Sequence, residues 1–148
     1  MPFTDPTIWF TAENSIFQFL ISETNSQEGS DCFIGRIPTQ AFDCWSVEIS
    51  GGTTPLDFGI VVDTPGGCNV WKMNAPIRGV FREREQAQLL AGMIKIVTPI
   101  AESSLDGVFR FYPLGEPTIE WDTITDRSDE RREVWVLDWA FEVILQQS

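Results

Sequence analysis

Carboxylates are the side chains in this sequence that could carry chemistry. Five of them lie close together, with Arg127, Arg131 and Arg132 among or beside them: Glu120, Asp122, Asp126, Asp129 and Glu130. Such a group could bind calcium, or a magnesium ion that activates water for hydrolysis. The spacing does not match a calcium-binding loop, and the arginines would offset the charge through local ion pairs. We therefore predict an acidic loop exposed to solvent, with no metal site; a glycosidase pair stays open, although nothing in the sequence selects one.

Histidine is absent from the 148 residues, which removes the commonest general base and the commonest zinc ligand. The three cysteines, Cys32, Cys44 and Cys68, are far apart and form no C-x-x-C pair, so we expect reduced, partly buried thiols. Gly51 and Gly52 are followed by threonines rather than by the lysine of a phosphate-binding loop. The sequence therefore predicts no cofactor, no catalytic residue and a protein that is not an enzyme.

Acidic residues outnumber basic ones by 22 to 10, which gives a formal net charge of −12 at pH 7. This charge repels phosphate at long range and disfavours ordinary binding to nucleic acid or to an anionic membrane surface. Such a charge suits a protein surface past which DNA moves without binding. It also suits an acidic module that binds a basic partner in a salt-dependent way. No apolar run is long enough to span a bilayer, and the N-terminal residues lack the features of a secretory signal, so we expect neither feature.

Arginine is the prominent basic residue, because lysine occurs only at positions 72 and 95. Arginine binds carboxylates through two parallel hydrogen bonds, within one chain or between chains. Arg82, Arg84, Arg131 and Arg132 are therefore candidate contacts between subunits, and weak surface ion pairs are the alternative. Apolar residues of the loop-rich first half are candidates for contact surface as well: Phe3, Phe33, Ile34, Phe42 and Phe58.

Two segments have the spacing of helices that bury one face. Asp5 and Pro6 form a helix start, and the apolar residues after them predict a first helix over residues 6–22. A polar, turn-rich loop is expected next. A second helix is predicted with Glu83 and Glu85 in its first turn and an apolar stripe that ends before a proline: Leu90, Met93, Ile94 and Val97.

A long hairpin is predicted in the middle of the chain. Residues 42–49 and 56–62 have the composition of two antiparallel strands. Residues 50–55 between them, with Gly51 and Gly52, are typical of a loop tip. A ring subunit can extend such a hairpin over its neighbour, so the two glycines join the candidate subunit contacts.

Apolar residues at every second position predict two further strands, and a turn signal precedes a third. One is expected over residues 71–81, with Pro76 at a bulge or an edge. A strand over 108–112 follows a predicted Asp-Gly turn, and 135–145 predicts one long central strand. Together the elements predict a single α+β domain over residues 1–148, with a mostly antiparallel sheet, two helices packed on one face and the hairpin extension.

Two blocks of the chain have the element order of a known family. Residues 71–97 (WKMNAPIRGVFREREQAQLLAGMIKIV) indicate a strand that leads into an Ala/Leu-rich helix. Residues 131–145 (RREVWVLDWAFEVIL) indicate a basic start followed by an alternating strand. With the first helix ahead of them, these blocks resemble the tail terminator or tail completion proteins of tailed phages, over residues 70–145.

The resemblance implies a structural protein of the virion, located in the tail or neck and assembled in the host cytoplasm. It implies a hexameric ring that caps the tail tube, stops its growth and joins the neck. The implied partners are other copies of the chain, the tail tube protein and the neck or connector proteins, with DNA passing through the lumen without specific binding. The alternatives are an acidic DNA-mimic inhibitor and a metal-dependent hydrolase that uses Glu120, Asp122 and Asp126.

Overall fold

The computed structural model describes residues 7–38, 41–55, 70–125 and 131–146. The helices are α1, Ile8–Thr24, and α2, Arg84–Val97. Ten strands accompany them in these ranges: β1 Cys32–Ile34, β2 Cys44–Val47, β3 Ser50–Pro55, β4 Val70–Asn74, β5 Ile77–Phe81, β6 Ile100–Leu105, β7 Val108–Pro113, β8 Thr118–Thr125, β9 Arg131–Trp139 and β10 Phe141–Gln146.

Both helices lie close to where the sequence predicts them. α1 begins after Thr7, two residues later than expected, and Asp5 and Pro6 lie outside the described residues. It ends at Asn25, whose left-handed conformation (φ +53°) closes the last turn. α2 has Glu85 in its first turn and ends two residues before a proline, as predicted, whereas Glu83 is the extended residue just before the helix and not part of its first turn. No helix in the described ranges is long and apolar enough to cross a membrane.

The strands form two five-stranded sheets, and four stretches of chain run through both sheets in the same side-by-side order. Sheet A has the order β1-β2-β5-β9-β8, and sheet B has the order β3-β4-β10-β7-β6. β2 leads into β3, β4 into β5, β7 into β8 and β9 into β10, so four stretches of chain each pass from one sheet to the other. The strands pair antiparallel except for β1 with β2. The two sheets are therefore halves of one bent layer, in which each long stretch of chain turns a corner.

This bend corrects two predictions of single long strands. The segment 71–81 divides at Ala75 and Pro76 into β4 and β5, and the segment 135–145 divides at Ala140 into β9 and β10. Pro76 marks the end of one strand rather than a bulge within it, because proline has no N–H to donate to a ladder. Alternation is unbroken through the corner, since the same face of the chain stays against the core on both sides.

Hydrogen bonds link the strands across the corner. The N–H of Ala75 donates to the carbonyl of Phe141 (2.9 Å), and the N–H of Leu114 donates to the carbonyl of Ala140 (2.9 Å). The backbone at the bend is thereby satisfied without a regular ladder.

The predicted hairpin tip is itself a strand, which is a second correction. Gly51 and Gly52 lie in β3, the edge strand of sheet B, and β3 pairs antiparallel with β4. Ser50 is opposite Asn74 while Thr54 is opposite Lys72, so two extra residues of β3 are accommodated there. Glycines tolerate such an irregularity at an edge. β2 pairs with β1 and β5 instead of a second hairpin arm, and residues 56–62 lie outside the described residues.

The acidic segment is also a strand over its described part, rather than the predicted loop. Glu120 and Asp122 belong to β8, which pairs with β9 at all eight of its positions. β9 includes Arg131 and Arg132, so these arginines begin a strand and do not form a turn. In β8 the acidic residues alternate with Ile, Trp and Thr, which favour strands. The acidic residues suggested a loop, but the alternation is that of a strand. Residues 126–130 lie outside the described residues.

The helices cover the inner face of the bent layer. α1 contacts β1, β6, β7 and β10, α2 contacts β5, β8 and β9, and the two helices contact each other. Among the largest side chains that they bury with the sheets are Trp45, Phe17, Phe111 and Phe141. The predicted α+β fold, mostly antiparallel with two helices on one face, is thus confirmed.

α1 also binds the backbone of the corner between β2 and β3. The indole N–H of Trp9 donates to the carbonyl of Ile49 (3.0 Å), and Oε2 of Glu13 accepts from the N–H of Ile49 (2.8 Å). Both polar groups of one corner residue are therefore satisfied by side chains one helical turn apart.

Candidate assembly surfaces

No group of three or more histidine, cysteine or carboxylate side chains in the described ranges is arranged to hold a metal ion. Glu120 and Asp122 are exposed and lie two residues apart on one face of β8. Asp126 and the two later acidic residues of the segment lie outside the described residues. β8, at the edge of sheet A, therefore carries two neighbouring carboxylates on the face away from the helices.

Cys32 and Cys44 are buried thiols, as predicted, and Cys68 lies outside the described residues. Burial, with the nearby carboxylates of Asp31 and Glu28, raises the pKa of the Cys32 thiol to about 11. A thiol with this pKa stays protonated at neutral pH and is a poor nucleophile. Cys32 is therefore part of the core.

Arg82, the first of the predicted contacts, is bound by Asp43 of its own chain. Its Nε donates to Oδ2 of Asp43 (2.9 Å), and its backbone N–H donates to Oδ1 (3.0 Å). The side-chain hydrogen bond to Asp43 and the charge of that carboxylate raise the pKa of Arg82 above its ordinary value, and the guanidinium lies 5.8 Å from the centre of the Phe42 ring. The pair ties the end of β5 to the residue before β2, while the Arg82 side chain stays 68% exposed.

Arg84 belongs to an aromatic stack at the edge of sheet A. Its guanidinium lies 5.6 Å from the ring centre of Trp135, and Trp135 meets Trp121 edge to face with 5.2 Å between ring centres. Trp121 is on the edge strand β8 and is 52% exposed. Trp121 is not among the predicted contacts, because the acidic residues around it indicated a loop. The signal that the sequence offers is its position at every second residue with Ile119 and Thr123.

Strand pairing gives the positions of the other predicted contacts. Arg131 and Arg132 lie opposite Thr125 and Ile124, at the end of the β8–β9 pair in sheet A. Gly51 and Gly52 lie in β3 at the edge of sheet B. The structure thus separates the glycines from the four arginines, which belong to or directly follow strands of sheet A, or begin α2. A role of these residues between subunits stays a prediction.

α2 carries apolar side chains on its outward face as well as on its buried one. Leu89 is 64% exposed and Ile96 is 85% exposed, seven residues apart and therefore on one side of the helix. Gly92 lies between them, and no atom is within 4 Å of the place where a Cβ would be. α1 exposes Phe10 (62%) on its outward face, followed along that face by the polar residues Asn14, Gln18 and Ser22. The outward face of α2 therefore exposes two large apolar side chains to solvent, beside polar ones such as Gln88 and Lys95.

On the face of the sheets opposite the helices, charged side chains lie among apolar ones such as Val134 and Val136. The Tyr112 hydroxyl donates to Glu142, and Nζ of Lys72 lies 3.4 Å from the same carboxylate. Burial and the hydrogen bond to Glu142 raise the pKa of Tyr112 to about 12. Arg78 and Asp138, 3.3 Å apart, line an open depression of about 360 Å³ at the corner. These charges satisfy one another in cross-strand pairs.

Comparison with known proteins shows a shared fold. No model of a protein family matches the sequence, and no protein with a curated description is similar to it. Among solved structures, a chain in the virion of a native gene transfer agent particle is similar, with a TM-score of 0.50 at 11% identity. The similarity covers 97% of this chain and 100% of that one. At this identity the likeness concerns the fold.

Proposed function

We propose that this chain is a structural subunit of a phage-like virion. The observation that carries the proposal is the fold that it shares, over nearly the full length of both chains, with a chain of the gene transfer agent virion. The exposed apolar side chains of Trp121, Leu89 and Ile96 support it, because a subunit of a large assembly buries such side chains against its neighbours.

The finer proposal is that the chain forms a ring that caps a tail tube, in the manner of a tail terminator. The element order that resembles tail terminators supports this place in the particle. A closed ring needs two different surfaces on each subunit, because each copy contacts its neighbours head to tail. The chain would then contact the tube on one side of the ring and a neck or connector protein on the other.

The acidity of the chain fits this place. With a net charge of −12 per subunit, a ring that carries carboxylates on its lumen would repel the phosphates of DNA. DNA would pass such a wall without binding to it. The exposed carboxylates and the scarcity of lysine agree with that role.

The proposal is tested by deleting the chain from the genome that encodes it and examining the particles by electron microscopy. Without a cap we expect tail tubes of uncontrolled length and heads without joined tails. Expression of the intact chain in the same cells should restore tails of one length. Mass spectrometry of purified wild-type particles should also detect the chain as a component.

Tails of normal length after the deletion, together with particles that lack the chain, would contradict the proposal. The net charge would then favour an acidic module that binds a basic protein. Under that alternative, a purified monomer should retain a basic partner at low salt and release it at high salt.

A further inference from the structure

We infer that a second copy of this chain binds across the two ends of sheet A, with the β8 end of one copy against the β1 end of the next. The inference rests on the proposed function, since it names the surfaces by which ring subunits join. β1 and β8 are the first and last strands of a five-stranded sheet, so the two ends lie roughly 19 Å apart, on opposite sides of the molecule.

The β8 end is a long strand edge with an aromatic anchor. β8 has eight residues and pairs on one side with β9, so every second residue points its N–H and C=O away from the sheet. Trp121 is 52% exposed and is held against Trp135 on the helix side. Glu120 and Asp122 are exposed on the other side of the strand. This end therefore offers one large apolar side chain and two carboxylates.

The β1 end carries the complementary side chains. Ile34 is 39% exposed and lies opposite Val47, a buried residue on the helix side, so Ile34 and Trp121 are on the same side of the sheet. Arg36 follows and is exposed, and no ion pair within the described residues includes it. This end therefore offers an apolar side chain and a guanidinium, while its two exposed carboxylates, Glu28 and Asp31, accept hydrogen bonds from the Gln18 side chain (3.5 Å) and from the N–H of Gln27 (2.9 Å).

Side chains rather than backbone would carry the contact at the β1 end. The carbonyl of Cys32 accepts from the N–H of Gly29, and the carbonyl of Ile34 accepts from the N–H of Arg36, so these edge groups are already in use. Tryptophan and arginine are the residues that most often dominate the energy of an interface. Docking Ile34 on Trp121 would bring Arg36, two residues further along the chain, to the edge of the neighbouring β8, where its long side chain can reach past the strand to the carboxylate of Glu120 and pair with it bidentately.

The two ends differ from each other, so the contact is heterologous and repeats from copy to copy. This property gives a test that a folding defect cannot imitate. Arg36→Glu places an acid at the β1 end and leaves the β8 end intact. Glu120→Arg places a base at the β8 end and leaves the β1 end intact. Each variant should self-associate roughly 100-fold more weakly than the wild type, because like charges then meet.

Mixing the two variants should restore assembly, with the two kinds of subunit alternating. In the mixture Arg36 of one variant meets Glu120 of the other, and the two substituted residues meet each other in the next contact. The double variant on one chain should assemble like the wild type for the same reason. Mass photometry of each protein alone and of the mixture, at about 0.15 M salt, measures these states.

Arg110→Glu and Asp106→Arg are matched controls, since they change exposed residues of the β6–β7 hairpin in sheet B by the same amount of charge. Neither should alter the distribution of masses. A wild type that assembles, together with Arg36→Glu and Glu120→Arg variants that assemble equally well, would overturn the inference and leave the proposed function standing. A wild type that is monomeric at every concentration would overturn the inference too. Tail length after deletion decides the proposed function separately.

Discussion

At the scale of single residues, the contact between α1 and Ile49 makes the stability of the fold depend on the charge of Glu13. Trp9 and Glu13 satisfy both polar groups of Ile49, so the helix fixes the point where the chain leaves sheet A for sheet B. The carboxylate is half-buried, and this burial raises the pKa of Glu13 above its ordinary value of 4.5. The hydrogen bond from Ile49 opposes that shift, and the nearby charge of Glu48 adds to it.

Replacing Glu13 by glutamine should preserve or raise stability at pH 7. Because the folded-state pKa is raised, the folded chain holds the proton more tightly than the unfolded chain. The stabilisation that protonated Glu13 adds to the free energy of unfolding is therefore complete below about pH 4.5, and it is lost as the pH rises through the folded-state pKa. Glutamine keeps an oxygen that accepts from Ile49 and carries no charge, so its advantage should shrink as the pH falls.

Urea unfolding at pH 7 and near pH 4.5 measures this difference. Glu13→Ala is the control, since it leaves the Ile49 N–H without its acceptor. It should lower the free energy of unfolding by about 1–3 kcal/mol at both pH values. A glutamine variant less stable than the wild type at pH 7 would contradict the argument.

Cys32 should resist alkylation while the protein is folded. Its side chain has no exposed surface, and its pKa of about 11 leaves little thiolate at pH 8. We expect iodoacetamide to modify the Cys32 peptide only after denaturant unfolds the chain, as measured by peptide mass mapping. Rapid modification of the native protein at pH 8 would mean that the first strand of sheet A opens readily.

At the scale of elements, a glycine on the outward face of α2 lowers the stability of this helix. Gly92 is exposed in the middle of the helix, and a Cβ there would meet no atom within 4 Å. Gly92→Ala should therefore raise the free energy of unfolding by about 0.5–1 kcal/mol through reduced freedom of the unfolded chain. Thermal or urea unfolding checks this, and a loss of stability would show that the position is more constrained than its surroundings indicate.

The β6–β7 hairpin is held against α1 by a glycine. Gly107 has a φ of +76°, and a Cβ there would lie 2.9 Å from Cδ1 of Ile8 and 3.4 Å from Cβ of Ala12. Gly107→Ala should combine backbone strain with a clash against the helix and lower stability by about 2–4 kcal/mol.

Gly29→Ala is the matched control for this hairpin glycine. Its φ is +87°, yet nothing lies within 4 Å of the added atom, so only the strain of about 1–2 kcal/mol remains. The difference between the two variants in urea unfolding measures the packing of α1 on the hairpin. Equal losses would show that the contact with Ile8 and Ala12 relaxes without cost.

At the scale of the whole molecule, net charge opposes assembly more than any single ion pair favours it. Two copies that each carry −12 and lie about 30 Å apart repel by roughly 20 kcal/mol in water before ions screen them. An exposed ion pair such as the one inferred between Arg36 and Glu120 contributes about 1 kcal/mol or less. Repulsion therefore decides the response to salt.

Self-association should become stronger as the salt concentration rises from about 0.01 M to about 0.15 M, because the screening length falls from about 30 Å to about 8 Å. We expect the dissociation constant to fall by about ten-fold or more over this range. Light scattering at fixed protein concentration follows the change. Weaker association at the higher salt would indicate that attraction between opposite charges dominates the contact.

The sequence alone was sufficient for those features that depend on neighbours along the chain. Helix faces follow from apolar spacing, and the stripe of Leu90 and Ile94 on α2 is buried as predicted. The alternation around Met73 and Leu137 correctly identifies inward-facing residues, since a strand against a core shows a period of two wherever it pairs. Net charge, and with it the sign of the interactions between copies, is also a property of the sequence.

Only the tertiary structure decided which strands pair and where the chain changes sheet. The corner at Pro76 and Ala140 leaves alternation intact, so apolar spacing does not mark it, and only Pro76 signals an irregularity in one of the two segments. Hydrogen bonds between distant segments hold the corner. The acidic strand β8 is stabilised by pairing with β9, and that pairing places Trp121 at a sheet edge. Pairing partners lie far apart in sequence, and the free energy that selects them comes from burial and cross-strand contacts rather than local propensity.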